Sequence, residues 1–170
     1  MIKGLILDID QTLIDSSAAS GARRMRAWRD VYSMIPNFVV YDGICDAISV
    51  ARQKGLKICI VSTAPRTYIE RVIHYHKIYT DYIIGYHDAH PVKPHPAPIL
   101  KALEIMGLRC DEVLSFGDRY IDETASNAAG VKFVACLWGS DEFDKGRQLS
   151  PSSLMIAHSH SLSEFIINNI

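Results

Sequence analysis

The chain has 170 residues, of which 48% are hydrophobic and 22% are charged, and its formal net charge is −1. This length gives one domain a real core and is short for two, and the composition is that of an ordinary soluble globular protein. A charge so close to zero argues against broad binding to nucleic acid or to membrane surfaces, although it leaves room for a local charged patch.

The start of the chain and its cysteines predict a cytoplasmic location. The chain runs directly into an apolar strand, without the basic region, apolar stretch and cleavage site of a signal peptide. No apolar run reaches the length that a bilayer requires. Cys45, Cys59, Cys110 and Cys136 are far apart and form no CxxC pair, so we expect buried, reduced thiols.

Apolar runs and helical patterns alternate along the chain. Apolar runs predict five strands and a weaker sixth, at residues 2–9, 56–63, 81–86, 112–118, 131–137 and 152–159. Apolar positions at helical spacing predict helices at residues 42–55, 64–78, 95–107, 121–130 and 161–170, the last capped by Ser161 or Ser163. This alternation indicates right-handed crossovers and an α/β fold: a three-layer, Rossmann-like parallel sheet of five or six strands with helices on both faces.

Polar side chains gather at one edge of this predicted sheet, because they follow the carboxyl ends of four strands. They are Asp8 and Asp10 after the first strand, Ser62 and Thr63 after the second, Lys93 after the third, and Gly117, Asp118 and Asp122 after the fourth. Ligands of open parallel sheets bind at this edge. Two like charges at the end of a buried strand do not stabilise a fold, so we expect these residues to form a functional site.

Four short motifs carry these residues. They are "DIDQT" with Asp8 and Asp10, "CIVSTAP" with Ser62, "VKPHPAPI" with Lys93, and "GDRYID" with Asp118 and Asp122. In order and spacing the motifs resemble those of the haloacid dehalogenase-like superfamily, and within it the phosphatases similar to phosphoglycolate phosphatase. The resemblance extends over nearly the whole chain. It implies the fold of that superfamily, although the chain has room for only a minimal cap.

The resemblance implies an enzyme, a Mg²⁺-dependent hydrolase of phosphoric monoesters. Asp8 is then the nucleophile that forms an aspartyl-phosphate. Asp10 is the general acid that protonates the leaving alkoxide and then the base that activates water. An ordinary aspartate is ionised near neutral pH, so Asp8 needs no base to activate it. The expected substrate is a small-molecule phosphomonoester.

The expected metal ligands also follow from the resemblance. Asp8 and Asp118 would bind the metal directly, and Asp10 would bind it through its backbone carbonyl. Asp122 would bind it through water or support the site. Hard oxygen ligands without a cluster of soft ligands favour Mg²⁺.

The same resemblance assigns Ser62, Thr63 and Lys93 to the phosphoryl oxygens of the substrate. Thr12 would brace the first loop by bonding from its side chain to the backbone. Gln11 departs from the pattern, since the phosphatase subgroup often has glycine there. The position varies across the superfamily, so we expect the chemistry to survive this change.

Segment 16–41 is the largest departure from the pattern, because relatives of this subgroup usually carry a helical cap domain after the first motif. We expect a single domain, 1–170, in which 16–41 is a reduced cap with one arginine-rich helix at residues 18–35. That helix could pack an apolar stripe on the core as an ordinary surface helix. Alternatively, it is a lid whose arginines touch the substrate.

Three further residues are candidates for substrate contact: Arg23, His87 and Arg119. Arg119 could instead pair with nearby acids. His87 belongs to a cluster with His90 and His95, in which nearby prolines make a zinc site awkward. Contact of these histidines with a leaving group or a partner is the better explanation.

A short cap leaves two ways of controlling water around an aspartyl-phosphate. A neighbouring subunit could complete the lid through an apolar stripe of Met25, Trp28 and Tyr32, or the cleft could stay open to a bulky phosphorylated substrate. We favour the homo-oligomer, because the net charge gives no steering toward nucleic acid.

Two other functions are compatible with the motifs. One is a phosphotransferase or phosphomutase with the same covalent intermediate, which would need a fuller cap to exclude water. The other is a catalytically silent binding protein with this fold, against which the complete set of acids argues.

Overall fold

The computed structural model describes residues 1–139, 149–150 and 154–170. Its strands are β1 (Gly4–Leu7), β2 (Ile14–Asp15), β3 (Val39–Val40), β4 (Lys57–Val61), β5 (Tyr82–Ile84), β6 (Val113–Gly117), β7 (Lys132–Cys136) and β8 (Leu154–Ile156). Its α-helices are α1 (Ser20–Arg24), α2 (Trp28–Met34), α3 (Ile44–Gln53), α4 (Arg66–His76), α5 (Ala97–Met106), α6 (Tyr120–Ala128) and α7 (Leu162–Asn169).

A parallel sheet forms the centre of the described fold. Its six strands pair in the order β5–β4–β1–β6–β7–β8 within the described residues. All six predicted strands are confirmed, and the first two residues predicted for the sixth, 152 and 153, lie outside the described residues. The central place of β1 decides where the site forms, because the residues that follow it lie between the ends of β4 and β6.

The side chains of β1 alternate between two apolar clusters, as the pleat of a strand requires. Leu5 and Leu7 lie in the cluster that α3, α4 and α7 cover, whereas Ile6 lies in the cluster that α5 and α6 cover. All three side chains are at most 2% exposed, and each fully buried leucine or isoleucine stabilises the fold by about 1.5–3 kcal/mol. The predicted three-layer α/β architecture is therefore confirmed.

Segment 16–41 contains two α-helices, each with a short 3-10 turn beside it, so the prediction of one helix over 18–35 is wrong. The chain breaks between α1 and α2 at Arg26, which has a left-handed φ of 55°. In a continuous helix, residues five apart point about 140° away from each other. The break lets both Arg23 and Trp28 face the body of the protein: Arg23 pairs with Asp10, and Trp28 packs on Tyr68.

The apolar stripe of this segment does not form one exposed face. Met25 is 81% exposed, but Trp28 contacts the core and the hydroxyl of Tyr32 lies 3.1 Å from that of Thr67. The packing supports the surface-helix alternative, while contact of the arginines with a substrate stays a prediction. The apolar residues of the segment pack on the core, as in a surface helix, while Arg23 reaches the expected site.

Three further expectations concern the cap of α7, the burial of the cysteines and membrane-spanning helices. Ser161 precedes α7, but its side chain makes no capping hydrogen bond. The four thiols are free, and the expectation that all are buried is wrong for two of them: Cys45 is exposed at the start of α3, and Cys110 is half-buried. None of the helices in the described ranges is both long enough and apolar enough to cross a bilayer.

Candidate active site

The carboxyl end of β1 brings Asp8 against the neighbouring strand. The backbone N–H of Asp8 donates to the carbonyl of Phe116 on β6 at 2.9 Å. This bond continues the ladder between β1 and β6 by one residue, so the Asp8 side chain leaves the sheet at a fixed point. The side chain is buried, since the residue is 8% exposed.

The side chain of Lys93 makes hydrogen bonds to residues at or just after the ends of β1, β4 and β6. Its ammonium donates to Oδ1 of Asp8 at 2.7 Å, to Oδ1 of Asp122 at 2.5 Å and to the carbonyl of Val61 at 2.9 Å. These three bonds use every donor of the ammonium. Burial disfavours the charged form of this 6% exposed lysine, but Asp122 and Asp8 outweigh burial and raise the pKa of Lys93.

Three carboxylates lie close together here, and the Lys93 ammonium bonds to two of them, Asp8 and Asp122. Oxygens of Asp8, Asp118 and Asp122 all lie within 4.8 Å of one another. Burial raises the pKa of Asp8 to about 7, with Lys93 opposing the rise and Asp122 adding to it. Burial, together with the charges of Asp8 and Asp122, also raises the pKa of Asp118 well above its ordinary value. The group therefore has an excess of negative charge that a divalent cation would neutralise.

The carboxylate of Asp10 lies apart from this acid group. Its Oδ1 accepts hydrogen bonds from the hydroxyls of Ser16 and Tyr68, both at 2.5 Å, and lies 2.8 Å from the guanidinium of Arg23. The prediction that Arg23 contacts the substrate did not anticipate this ion pair. Ser16 and Tyr68 were missed altogether, because no local pattern shows that a serine six residues away and a tyrosine on α4 meet one carboxylate.

The loop between Asp10 and β2 is held by side chains from distant parts of the chain. Gln11 has a left-handed φ of 65°, a conformation that favours glycine. The hydroxyl of Tyr41 donates to Oε1 of Gln11 at 2.7 Å, which helps to hold that conformation. Thr12 donates from Oγ1 to Oδ1 of Asp118 at 3.1 Å, so the expected bond from Thr12 to the backbone is wrong. Thr12 instead connects the first loop to the acid group.

The start of α6 fixes Asp122. Its Oδ2 accepts a hydrogen bond from the backbone N–H of Arg119 at 3.2 Å, while its Oδ1 accepts from Lys93. Gly117 leaves the space for this side chain, because a Cβ atom at position 117 would lie 2.6 Å from Cβ of Asp122 and 2.7 Å from its Oδ2. Glycine in the fourth motif is thus a packing requirement of Asp122.

A cleft of about 290 Å³ opens above Asp8 and Asp10. It is lined by Asp8, Asp10, Arg23, Arg24, Arg26, Trp28, Ser62, Thr63, Ala64, Pro65, Tyr86, His87 and Arg119. Of the predicted phosphate ligands, Ser62 and Thr63 line this cleft, and Lys93 bonds to Asp8, which also lines it. Ser62 Oγ accepts a hydrogen bond from the N–H of Ala64 at 3.1 Å, which shapes the loop after β4.

The three candidates for substrate contact, Arg23, His87 and Arg119, all line this cleft. His87 and His90 pack their rings against Tyr86, with centroids 4.9 and 5.6 Å away. His95 has a different role, since its Nδ1 accepts a hydrogen bond from the N–H of Ala97 at 3.2 Å, at the start of α5. The expected histidine cluster is therefore divided between the cleft and a helix start.

The sequence of this chain matches a known protein family and relatives within the curated proteins. The model of the family described as haloacid dehalogenase-like hydrolase matches residues 21–136. Pyrophosphatase PpaX from Bacillus mycoides (strain KBAB4) is 33% identical over 100 residues, which are 58% of this chain and 46% of that protein. The chain spans about half the length of the curated relatives it matches.

Several solved structures have the same fold as this chain. A predicted phosphoglycolate phosphatase from Haemophilus somnus 129PT aligns with a TM-score of 0.78 at 16% identity, over 97% of this chain and 98% of that one. CbbY from Rhodobacter sphaeroides, in complex with phosphate, aligns with a TM-score of 0.76 at 15% identity, over 97% of this chain and 96% of that one. These likenesses confirm the fold. With the family match over more than half of its length, the chain belongs to the haloacid dehalogenase-like hydrolase family.

Proposed function

We propose that this protein is a Mg²⁺-dependent phosphatase that hydrolyses a small phosphomonoester through an aspartyl-phosphate on Asp8. One observation carries the proposal: the Asp8 carboxylate belongs both to the wall of the cleft and to the group it forms with Asp118 and Asp122. A nucleophile and a set of metal-binding oxygens are thereby combined at one point. The match to the hydrolase family supports the same chemistry.

The donor set fits a hard divalent cation. Oxygens of three carboxylates lie within 4.8 Å of one another, Lys93 bonds to Asp8 and Asp122, and burial penalises the charges of Asp8 and Asp118. Asp8 and Asp118 would hold Mg²⁺ directly, with the backbone carbonyl of Asp10, and Asp122 would hold it through water or support the other ligands. The ion, when bound, supplies positive charge that offsets the repulsion between a phosphate ester and the Asp8 carboxylate.

The reaction then needs two displacements at phosphorus. In the first, an oxygen of Asp8 bonds to phosphorus while the ester bond breaks, and Asp10 gives its proton to the departing alkoxide. In the second, Asp10 takes a proton from water as the water oxygen bonds to phosphorus, and the bond to Asp8 breaks. The products are an alcohol and inorganic phosphate, and both aspartates return to their starting states.

The phosphoryl oxygens lie among hydroxyl and ammonium donors in this proposal. Ser62 and Thr63 face the cleft at the end of β4, and the ammonium of Lys93 is already 2.7 Å from Asp8. A phosphoryl group attached to Asp8 would therefore be within reach of Lys93. Donors placed where negative charge develops lower the barrier to transfer.

We further propose that residues 1–170 form one domain and that segment 16–41 acts as its reduced cap in the same subunit. Arg23, Arg24, Arg26 and Trp28 all contribute to the wall of the cleft. The reason for invoking a second subunit was the small size of this segment, and a segment that lines the cleft itself weakens that reason. Arg23, His87 and Arg119 would face the leaving group of the substrate.

The test is an assay of phosphomonoesters, with inorganic pyrophosphate included because a curated relative is named a pyrophosphatase. The protein should release phosphate with Mg²⁺ and stop when EDTA removes the metal. Asp8→Asn should lower turnover at least about 1,000-fold. Asp46→Asn, an exposed site on α3 outside the cleft, is the matched control and should keep full activity. Activity of Asp8→Asn equal to that of the original protein would overturn the mechanism, and inactivity toward the whole panel would favour the silent binding protein.

A further inference from the structure

Tyr68 holds Asp10 from the buried side of the cleft. Tyr68 lies on α4 and is completely buried. Its hydroxyl donates to Oδ1 of Asp10 at 2.5 Å. A carboxylate oxygen without a proton can only accept, so the Tyr68 hydroxyl is the donor in this bond.

The Tyr68 ring is itself fixed by segment 16–41. The ring of Trp28 packs against it with centroids 5.7 Å apart and planes tilted by 48°. The ring of Phe38 meets it edge-on at 6.5 Å. Tyr68 cannot rotate away from Asp10 without disturbing both rings, since packed interiors leave few alternative rotamers. The reduced cap thus supports a residue that contacts the proposed general acid.

The donors around Asp10 distinguish its two oxygens. In the described chain, Ser16, Tyr68 and Arg23 all meet Oδ1. An oxygen that accepts from two hydroxyls and a guanidinium is a poor place for a proton, so the proton of a neutral Asp10 belongs on Oδ2. Asp10 lines the cleft, where a leaving group would receive that proton.

We propose that Tyr68 is a positioning residue for proton transfer by Asp10, holding Oδ1 so that Oδ2 faces the departing oxygen of the substrate. This inference rests on the proposed phosphatase function. Tyr68 itself touches neither the substrate nor phosphorus in this account. Its effect should therefore depend on how much the leaving group needs a proton.

Leaving groups differ in that need. An alkoxide is strongly basic and departs with difficulty unless it is protonated, whereas p-nitrophenolate departs readily without a proton. A displaced general acid therefore slows the transfer of phosphate from alkyl esters more than from activated aryl esters. A general loss of folding or of substrate binding would slow both alike, so the dependence on the leaving group separates positioning from a structural role.

The experiment compares kcat/KM of Tyr68→Phe with that of the original protein over aryl and alkyl phosphomonoesters of increasing leaving-group pKa. The kcat/KM value covers the transfer to Asp8 and excludes the later hydrolysis. We expect a loss of about 10- to 100-fold for alkyl esters and less than about threefold for p-nitrophenyl phosphate. The plot of log kcat/KM against leaving-group pKa should become steeper. An equal loss for every ester, or an unchanged slope, would overturn the inference.

The matched control is Tyr79→Phe, which removes a tyrosine–aspartate hydrogen bond outside the cleft. The hydroxyl of Tyr79 donates to Oδ1 of Asp81 at 2.5 Å. Tyr79→Phe should leave both kcat/KM and the slope unchanged. If Tyr68→Phe does not fold, Tyr68→Met also removes the hydroxyl and fills the site with a flexible apolar side chain. The same change in slope is expected from it, and an unchanged slope is again contrary to the inference.

Asp10→Asn separates this inference from the proposed function. It should steepen the slope more than Tyr68→Phe does. If Asp10→Asn steepens the slope and Tyr68→Phe does not, the general acid stands and the positioning role is wrong. If Asp10→Asn leaves the slope unchanged, the role of Asp10 in the proposed function is wrong, and with it the inference.

Discussion

The ammonium of Lys93 lies 2.7 Å from Oδ1 of Asp8, and both side chains are buried. The same nitrogen lies 2.5 Å from Oδ1 of Asp122. The loop after β5 thus supplies an ammonium that two of the three carboxylates in the acid group share. This contact links the stability of the metal-free protein to two acids that the proposed mechanism uses, Asp8 and Asp122.

Replacing Lys93 should therefore destabilise the metal-free protein. Lys93→Met leaves Asp8 and Asp122 buried without their cation, and the loss of one partner of a buried ion pair costs about 3–5 kcal/mol. Urea unfolding in EDTA measures this loss. Mg²⁺ should recover part of it, because the ion replaces some of the missing positive charge.

Lys101→Met is the control for this change. Lys101 pairs with Glu104 on the surface of α5 at 2.9 Å, and its side chain is 40% exposed. Exposed pairs stabilise proteins by about 0–1 kcal/mol. Equal losses of unfolding free energy for the two variants would contradict the importance of Lys93.

The stability of the metal-free protein should fall as pH rises toward neutrality. Burial raises the pKa of Asp8 from 3.8 to about 7 in the folded state. The folded protein therefore binds this proton more tightly than the unfolded chain does, so the resulting stability is present below pH 3.8 and is lost as pH rises through about 7. In EDTA, the melting temperature should decrease from about pH 5 to about pH 8, and Asp8→Asn should reduce that decrease.

Mg²⁺ should reverse this trend. A metal binds the ionised acids, so it stabilises the protein more at about pH 8 than at about pH 5. The measurement is the increase in melting temperature on adding Mg²⁺ at each pH. A melting temperature in EDTA that is flat or rises over this range would show that the acids do not carry the proposed burial penalty.

Gly117→Ala should weaken metal binding. The new methyl group would lie 2.6–2.7 Å from side-chain atoms of Asp122, so Asp122 must move. Such overpacking costs about 1–3 kcal/mol, and a displaced supporting acid lowers metal affinity about 10- to 100-fold. A titration of Mg²⁺ against activity measures the shift.

The matched glycine is Gly21 in α1, where a Cβ atom would meet nothing within 4 Å. Gly21→Ala should leave the Mg²⁺ titration unchanged. If Gly117→Ala requires no more Mg²⁺ than Gly21→Ala does, Asp122 neither binds nor supports the metal.

The strands and the acid group were predictable because they depend on local signals. Each buried strand appears as a short apolar run, and the rule that ligands gather at the carboxyl ends of parallel strands brings Asp8, Ser62, Lys93 and Asp118 to one edge. The distance of 2.7 Å between Lys93 and Asp8 agrees with that rule. Pattern and topology together were sufficient for this part of the site.

The surroundings of Asp10 were not predictable in the same way. Tyr68 is one of several apolar or aromatic residues on α4, and its bond to Asp10 spans 58 positions of sequence. The break at Arg26 was missed because residues 18–35 have good helical spacing, and only the tertiary contacts of Arg23 and Trp28 favour two helices over one. Local propensity is outweighed where two side chains need partners on the same side.

The most direct test of the covalent mechanism is to trap the phosphorylated protein. The protein, mixed with Mg²⁺ and its best substrate, is quenched in acid within the first turnover, digested and analysed by mass spectrometry. The account predicts one phosphoryl group on the peptide that contains Asp8, and none there after Asp8→Asn. A phosphoryl group on another residue, or substrate turnover with no phosphorylated peptide in the first turnover, would contradict it.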